Sequence, residues 1–275
     1  MRTKTKTKNG VVVFLDALGV SQYNQDECDE FIEKKYRIQV GLKEISKKWG
    51  IKFKKDLGKI LLKPNIASFQ DSVILWWPKQ EENSIDFLLG AGTVVTAFLH
   101  LAIGERIFFR GAMSVGEYIY DESPSNVTII GKALFEAHDY HGITEWIGVI
   151  QTPSFEQEYF KHLKIIADED SKTLNAKIDA YQVMKKFETI FTPYNVPLRK
   201  EVDAVGSVTK KKFLAVSWPQ LTYQIEARGE GLPFLNILQE ESQRQENTKY
   251  KSKYDNSLEF AEWYKNSGKF YPPPT

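Results

Sequence analysis

Two aspartates stand where a carboxylate is costly. "VVVFLDALGVSQY", residues 11–23, runs five apolar residues straight into Asp16, and "FQDSVILWW", residues 69–77, sets Asp71 just ahead of a second apolar run. Such runs read as buried strands, and an ionised group at the end of one costs free energy unless something neutralises it. If the two strands are neighbours, both carboxylates emerge at the same end of a sheet. Carboxylates that close repel each other, and a hard divalent cation with oxygen ligands is the simple neutraliser. Mg2+ is commonly held by one or two carboxylates plus substrate phosphates rather than by a full protein cage. The following loop, Leu18, Gly19, Val20 and Ser21, supplies backbone N–H groups next to a helix start. That is a cradle suited to phosphate oxygens, with Gly19 allowing close approach. A single aspartate at a strand end is also a common cap or turn residue; the joint placement of Asp16 and Asp71 is what points to a cation.

Positioning both groups requires an alternating strand and helix pattern. A strand over 11–15 leads through a loop into a helix over 26–48, whose apolar residues Phe31, Tyr36, Ile38, Leu42, Ile45 and Trp49 follow approximate helical spacing and which Gly50 is placed to stop. Strands near 59–62 and over 72–77 follow, joined by a segment containing Pro64 and Asn65. Next come an apolar helix over 86–103, a strand over 106–116, a polar loop "YDESPSN", a helix over 132–140 and a strand over 146–152. The order β-α-β-β-α-β-α-β is a ferredoxin-like split arrangement with an added strand, an α+β class. Residues 154–192 read as largely helical, "VPLRKEVDAVGSVTKKKFLAVSWPQ" as two strands around a charged connection, and 234–267 as charged helices. The chain divides on this reading into a disordered basic tail 1–9, a main domain 10–220 and a helical extension 221–275, with "YPPPT" unstructured.

Composition narrows the partners. Across 275 residues, 37 basic and 36 acidic side chains leave a net charge of +1. That balance gives no reason to expect nucleic acid or an anionic membrane as partner, and the basic start reads as a solvated tail. One cysteine, Cys28, excludes an intrachain disulfide framework and fits a reducing, cytoplasmic setting. No signal peptide is recognisable. "FLLGAGTVVTAFLHLAIG" approaches the lower length limit of a membrane span, but His100 and three glycines within it favour a helix buried against a sheet.

Four stretches resemble the class III nucleotide cyclases. "FLDALGVS" resembles the first-strand motif Phe-x-Asp-Ile-x-Gly-Phe-Ser/Thr through Phe14, Asp16, Gly19 and Ser21, with Ala17 and Val20 as departures. "FQDSVILWW" is similar to the second metal-aspartate strand, in particular the Ser-Asp-Ser-Ile form of the pyrimidine cyclases of the Pycsar antiphage system. "FRGAMSVGEYIY" resembles the Arg-x-Gly-Ile-x-x-Gly strand through Arg110 and Gly116, and "IIGKALFEAHDY" the helix that follows. The resemblance covers residues 10–155. It implies a βαββαβ palm-like core working as a head-to-tail homodimer with its site at the interface. Asp16 and Asp71 would ligate two Mg2+ or Mn2+ ions, helped by the backbone carbonyl of Ala17. Phe14, Leu18, Gly19, Val20, Ser21 and Arg110 would bind the nucleotide. The implied reaction converts a nucleoside triphosphate to its 3′,5′-cyclic monophosphate and pyrophosphate.

Departures from the pattern shape the expectation. Phe135 and Asp139 stand where purine cyclases carry a transition-state Asn and Arg, and the Lys and Asp pair that reads adenine is unrecognisable, with Lys63 too far from Asp71 and Lys132 in the place of the acid. UTP or CTP is therefore the expected substrate, as a signal in antiphage defence. Phosphate charge would fall to Arg110, Lys132 or one of Lys210–Lys212. A cyclase-like domain that binds nucleotide or a partner without turnover is the alternative; a palm enzyme joining separate nucleotides is a further rival, disfavoured by the lack of a Gly-Gly-Asp-Glu-Phe motif. His138 and His141 read as a surface helix end, since two histidines around Asp139 do not make a zinc site. Because the two carboxylates repel, removing either is expected to leave stability unchanged or to raise it.

Overall fold

The computed structural model describes residues 6–56, 63–79, 84–123, 126–169, 185, 188–199, 209–227, 229 and 234–267. Strand β1 (Lys6–Ala17) leads through a short 3-10 turn at Val20–Gln22 into helix α1 (Gln25–Asp56). The hairpin β2 (Asn65–Phe69) and β3 (Ser72–Pro78) is followed by α2 (Ser84–Gly104), β4 (Phe109–Ser123), β5 (Asn126–Ile130), α3 (Lys132–His141) and β6 (Gly148–Gln151). The remaining elements are α4 (Pro153–Glu169), β7 (Phe191–Pro197), β8 (Lys210–Val216), α5 (Trp218–Ala227), α6 (Phe234–Arg244) and α7 (Lys251–Asn266).

The strands form one sheet in the order β2-β3-β1-β4-β6-β8-β7, with β5 paired to the far half of β4. Its first four strands, joined as β1-α1-β2-β3-α2-β4 and all antiparallel, are the expected βαββαβ core. The fold is α+β. Strand β1 lies between β3 and β4, so its backbone groups are paired on both sides and its side chains alternate between two covered faces. Val11, Val13, Leu15 and Ala17 join the main core with Phe31, Ile38 and Leu42 of α1 and most of α2. Val12 joins a smaller cluster with Trp76, Tyr118 and Ala133 under α3. Trp76 and Trp77, adjacent in β3, are accordingly buried in different clusters.

Several boundaries differ from the sequence reading, each for a local reason. The expected tail is strand from Lys6 onward, because the Thr-Lys alternation suits an extended chain and Lys6–Asn9 pair with Glu117–Tyr120 of β4; residues 1–5 lie outside the described residues. The strand expected over 59–62 also lies outside them. The strand before Asp71 is Asn65–Phe69, an edge strand that needs little apolar content. "YDESPSN" belongs partly to the β4–β5 hairpin, whose ladder extends past the core. Helix α1 runs through Gly50 to Asp56, a glycine in a helix costing only about 1 kcal/mol relative to alanine. Its start is fixed by a reciprocal capping box: the Glu27 N–H donates to the Asn24 side chain at 3.0 Å, and the Asn24 N–H donates to Glu27 Oε2 at 2.8 Å.

Beyond residue 220 the chain returns to the sheet. Helix α5 crosses that position, and Phe234, Leu238, Phe260 and Ala261 of α6 and α7 lie in the same core cluster as β1 and β4. The apolar stretch Phe87–Gly104 is mostly buried within the fold as α2. It carries His100, whose ring centre is 4.1 Å from that of Phe234 and whose buried Nδ1 has no hydrogen-bond partner among the described residues. Burial lowers the His100 pKa from 6.5 to about 4. The fold thus favours neutral His100, while the unfolded chain takes up a proton below pH 6.5, so stability present above that pH is lost as pH falls toward 4, by about 3 kcal/mol. Thermal melts of wild type and His100→Leu from pH 7.5 to pH about 4 are expected to show the wild type losing about that much more stability than the variant on acidification.

Candidate functional site

The β1–β3 pairing brings Asp16 and Asp71 to one end of the sheet. Asp16 lies opposite Ser72, Asp71 sits in the two-residue turn between Phe69 and Ser72, and the Ala17 N–H donates to the Asp71 carbonyl at 3.1 Å. Gln70, the other turn residue, takes a positive φ of 48°. Strand parity sends Asp16 to the α3 side of the sheet together with Phe14 and Arg110.

A protein cation faces each carboxylate. Asp16 is directly across from Arg110, whose Nε and Nη2 both donate to Asp16 Oδ2, at 3.3 and 3.2 Å. The side chains of Arg110 and Asp16 are only 13% and 19% exposed. Gly111 permits this approach, since a Cβ there would lie 2.4 Å from the Phe14 carbonyl oxygen. Asp71 lies near Lys35 of α1, which donates to the Gln70 carbonyl. Burial lowers the Lys35 pKa, partly offset by Asp71. The Asp71 carboxylate and Asp16 Oδ1 accept no hydrogen bond among the described residues.

The residues fit a hard divalent cation. Three of the four carboxylate oxygens at this sheet end are without a donor among the described residues, and two carboxylates suffice for Mg2+ when phosphates supply further ligands. No group of three or more His, Cys, Asp or Glu side chains is gathered for metal binding among the described residues, so a closed protein cage is not present there. The loop has matching capacity. Leu18 donates to the Phe108 carbonyl, and Gln22 and Tyr23 close the turn onto Gly19 and Val20. The N–H groups of Gly19, Val20 and Ser21 have no acceptor among the described residues. Gly19 holds φ 85° in the left-handed region, which glycine adopts without strain.

The sequence reading missed two neighbours of the carboxylates, Lys35 and His141. His141, expected at a surface helix end, is instead 14% exposed, with Nε2 4.0 Å from Asp16 Oδ2 and Nδ1 against the His138 carbonyl. Burial lowers its pKa, while the His138 carbonyl and Asp16 act in the opposite direction. The rings of His138 and His141 lie 5.1 and 4.7 Å from that of Phe14, so Phe14 is partly covered by α3. No sequence periodicity marks these histidines, because their placement depends on how α3 crosses β1. Two candidate phosphate cations stand apart. Lys132 begins α3 while His141 ends it, about 13 Å away along the axis. The register of β8 with β6 carries Lys210–Lys212 to the end of the sheet opposite Arg110. A cleft of about 1120 Å³ touches Leu18 and Gly19 but runs between α1 and the C-terminal helices, away from Asp16 and Asp71.

No protein-family profile and no curated protein matches the sequence. Among solved structures the chain is similar to the adenylyl cyclase CyaB from P. aeruginosa, at 11% identity and a TM-score of 0.46 over 78% of this chain and 96% of that one. It is also similar to the catalytic core of a rhodopsin-guanylyl cyclase with converted specificity, at 11% identity and a TM-score of 0.47 over 78% and 98%. The guanylyl cyclase Cya2 matches at 8% identity and a TM-score of 0.40 over 78% and 94%. Such likeness concerns the path of the chain, which does not by itself carry chemistry.

The Arg110 pair changes what loss of each aspartate does to stability. Asp16→Ala leaves a mostly buried guanidinium unpaired and is expected to cost about 2–3 kcal/mol, less than the roughly 3–5 kcal/mol of a fully buried pair. Asp71→Ala removes no hydrogen bond and is expected to cost less than about 1 kcal/mol. This corrects the expectation from carboxylate repulsion alone. Chemical denaturation of both variants without added metal checks it.

Proposed function

We propose that the protein is a metal-dependent nucleotidyl cyclase converting a nucleoside triphosphate to its 3′,5′-cyclic monophosphate and pyrophosphate. The observation that carries this reading is the pair of aspartates held at one sheet end, with three oxygens and three consecutive nearby N–H groups unpaired among the described residues. Asp16 and Asp71 hold Mg2+ or Mn2+. Divalent ions bound there would lower the pKa of the ribose 3′-hydroxyl and neutralise charge on the triphosphate. The N–H groups of Gly19, Val20 and Ser21 receive phosphate oxygens, and Arg110, the arginine beside Asp16, meets phosphate charge. Phe14, backed by His138 and His141, walls the nucleotide.

A pyrimidine substrate, UTP or CTP, is part of the proposal. It rests on the missing Lys and Asp pair for adenine and on the resemblance of "QDS" and "RGAMSVGE" to the Pycsar pyrimidine cyclases, which also supplies the role as an antiphage signal in the cytoplasm. Product analysis by mass spectrometry with each triphosphate and Mn2+ is expected to show a cyclic pyrimidine monophosphate formed about ten- to a hundredfold faster than the purine products. Asp16→Asn and Asp71→Asn are expected to lose at least about a hundredfold in turnover, since even residues that only orient metal ligands are worth about 10–100-fold. Fastest turnover of ATP or GTP would overturn the pyrimidine assignment alone. Triphosphate binding without any product would favour the non-catalytic alternative, which the exposed Phe135 and Asp139 on α3 support.

The proposed working unit is a homodimer with its site at the interface. Phe135 and Ile143, on α3 and just beyond it, are 57% and 37% exposed, apolar residues on the Asp16 side of the sheet suited to a second copy. Specific activity is expected to fall as the protein is diluted into its monomer range in sedimentation experiments. A fully active monomer would overturn the interface site.

A further inference from the structure

We propose that Arg110 is a latch on Asp16 that makes cation binding depend on the arrival of a phosphate-bearing substrate. The pair is close but incompletely used. Two guanidinium donors converge on Oδ2 at 3.2 and 3.3 Å, longer than the roughly 2.7–2.9 Å of tight charge-assisted bonds, and Oδ1 is left free. Arg110 Nη1 is buried and has no acceptor among the described residues. The guanidinium is therefore neither fully satisfied where it is nor exposed enough to be solvated instead. It cannot be neutralised by losing a proton, so only another anion can draw it away.

A divalent cation and Arg110 compete for the same carboxylate. With no phosphate present, the cation at Asp16 must displace the guanidinium into surroundings that already hold the buried ammonium of Lys253, whose pKa is lowered by burial and, in part, by Arg110, while Glu145, 3.8 Å from it, acts in the opposite direction. A triphosphate reverses the balance, because its oxygens give Arg110, including the idle Nη1, a new acceptor while bringing ligands to the cation. Arg110 is thus a positioning residue for the metal site. This rests on the cyclase reading only in taking Asp16 as a cation ligand.

The test is a titration of the full chain with Mn2+ alone, free Mn2+ being read by electron paramagnetic resonance. Arg110→Gln is expected to bind Mn2+ at least about fivefold more tightly than wild type, at the lower end of typical coupling between sites. Arg110→Lys keeps the charge but loses the planar fork and is expected to fall between the two. Mn2+ should also raise the melting temperature of Arg110→Gln more than that of wild type. If Arg110→Gln does not fold, Arg110→Lys against wild type decides the question in the same way. Equal or weaker Mn2+ binding in the variants would overturn the latch and leave the cation site standing, as would Arg110→Lys equal to wild type, which is mere charge repulsion. Absence of Mn2+ binding to every form, or binding that survives Asp16→Asn, would overturn both the latch and the metal site.

Discussion

The pairing of β1 with β3 on one side and β4 on the other is the constraint from which the rest follows. It places a carboxylate at the end of a strand enclosed by two others, and that carboxylate has to be matched in charge. The antiparallel register with β4 puts Arg110 across from Asp16, and the register with β3 puts the Asp71 turn beside Ala17. Both aspartates and Arg110 are placed by backbone pairing before any side chain is considered. A slip of one residue would turn Asp16 into the main core, away from Arg110, so the buried alternation of Val11 to Ala17 fixes the site as firmly as it fixes the core.

Two faces of one sheet divide the work. The α1 and α2 face is almost wholly apolar and contributes the larger core, continued by the C-terminal helices. The α3 face carries a small apolar cluster in its middle and, at one end beside Phe14, the polar group of Asp16, Arg110 and His141. A helix laid across this face, rather than a second full layer, leaves the sheet end accessible while shielding the ion pair enough to strengthen it. The Ser114 hydroxyl donates to the Ala133 carbonyl, tying the start of α3 to β4 and so helping to set where His141 ends up.

Arg110 gives the charge balance of the site a different form from that of a bare pair of carboxylates. Repulsion between Asp16 and Asp71 is moderated by Arg110 on one side and Lys35 on the other, cations drawn from opposite faces of the sheet. In this arrangement the carboxylates are matched by protein cations, and under the proposed function a cation would enter by exchange with Arg110.

Much of the fold was legible because its signals are local and periodic. The apolar runs at 11–15 and 72–77, the spacing of α1, the long apolar α2 and the strand–helix order are enough to specify a ferredoxin-like core and to put Asp16 and Asp71 at one sheet end. Edge elements were less so: Asn65–Phe69 and Lys6–Asn9 are strands by virtue of a paired neighbour, not of their own apolar content. The partner of Asp16 lay beyond the reach of pattern alone. Arg110 is 94 residues away, and Lys35 and His141 come from helices whose sequence marks them only as polar positions. Residue types and their period along the chain determined which groups had to be neutralised; strand register and the crossing of α3 decided what neutralises them, because charge pairing depends on distance in space and the sequence records only distance along the chain.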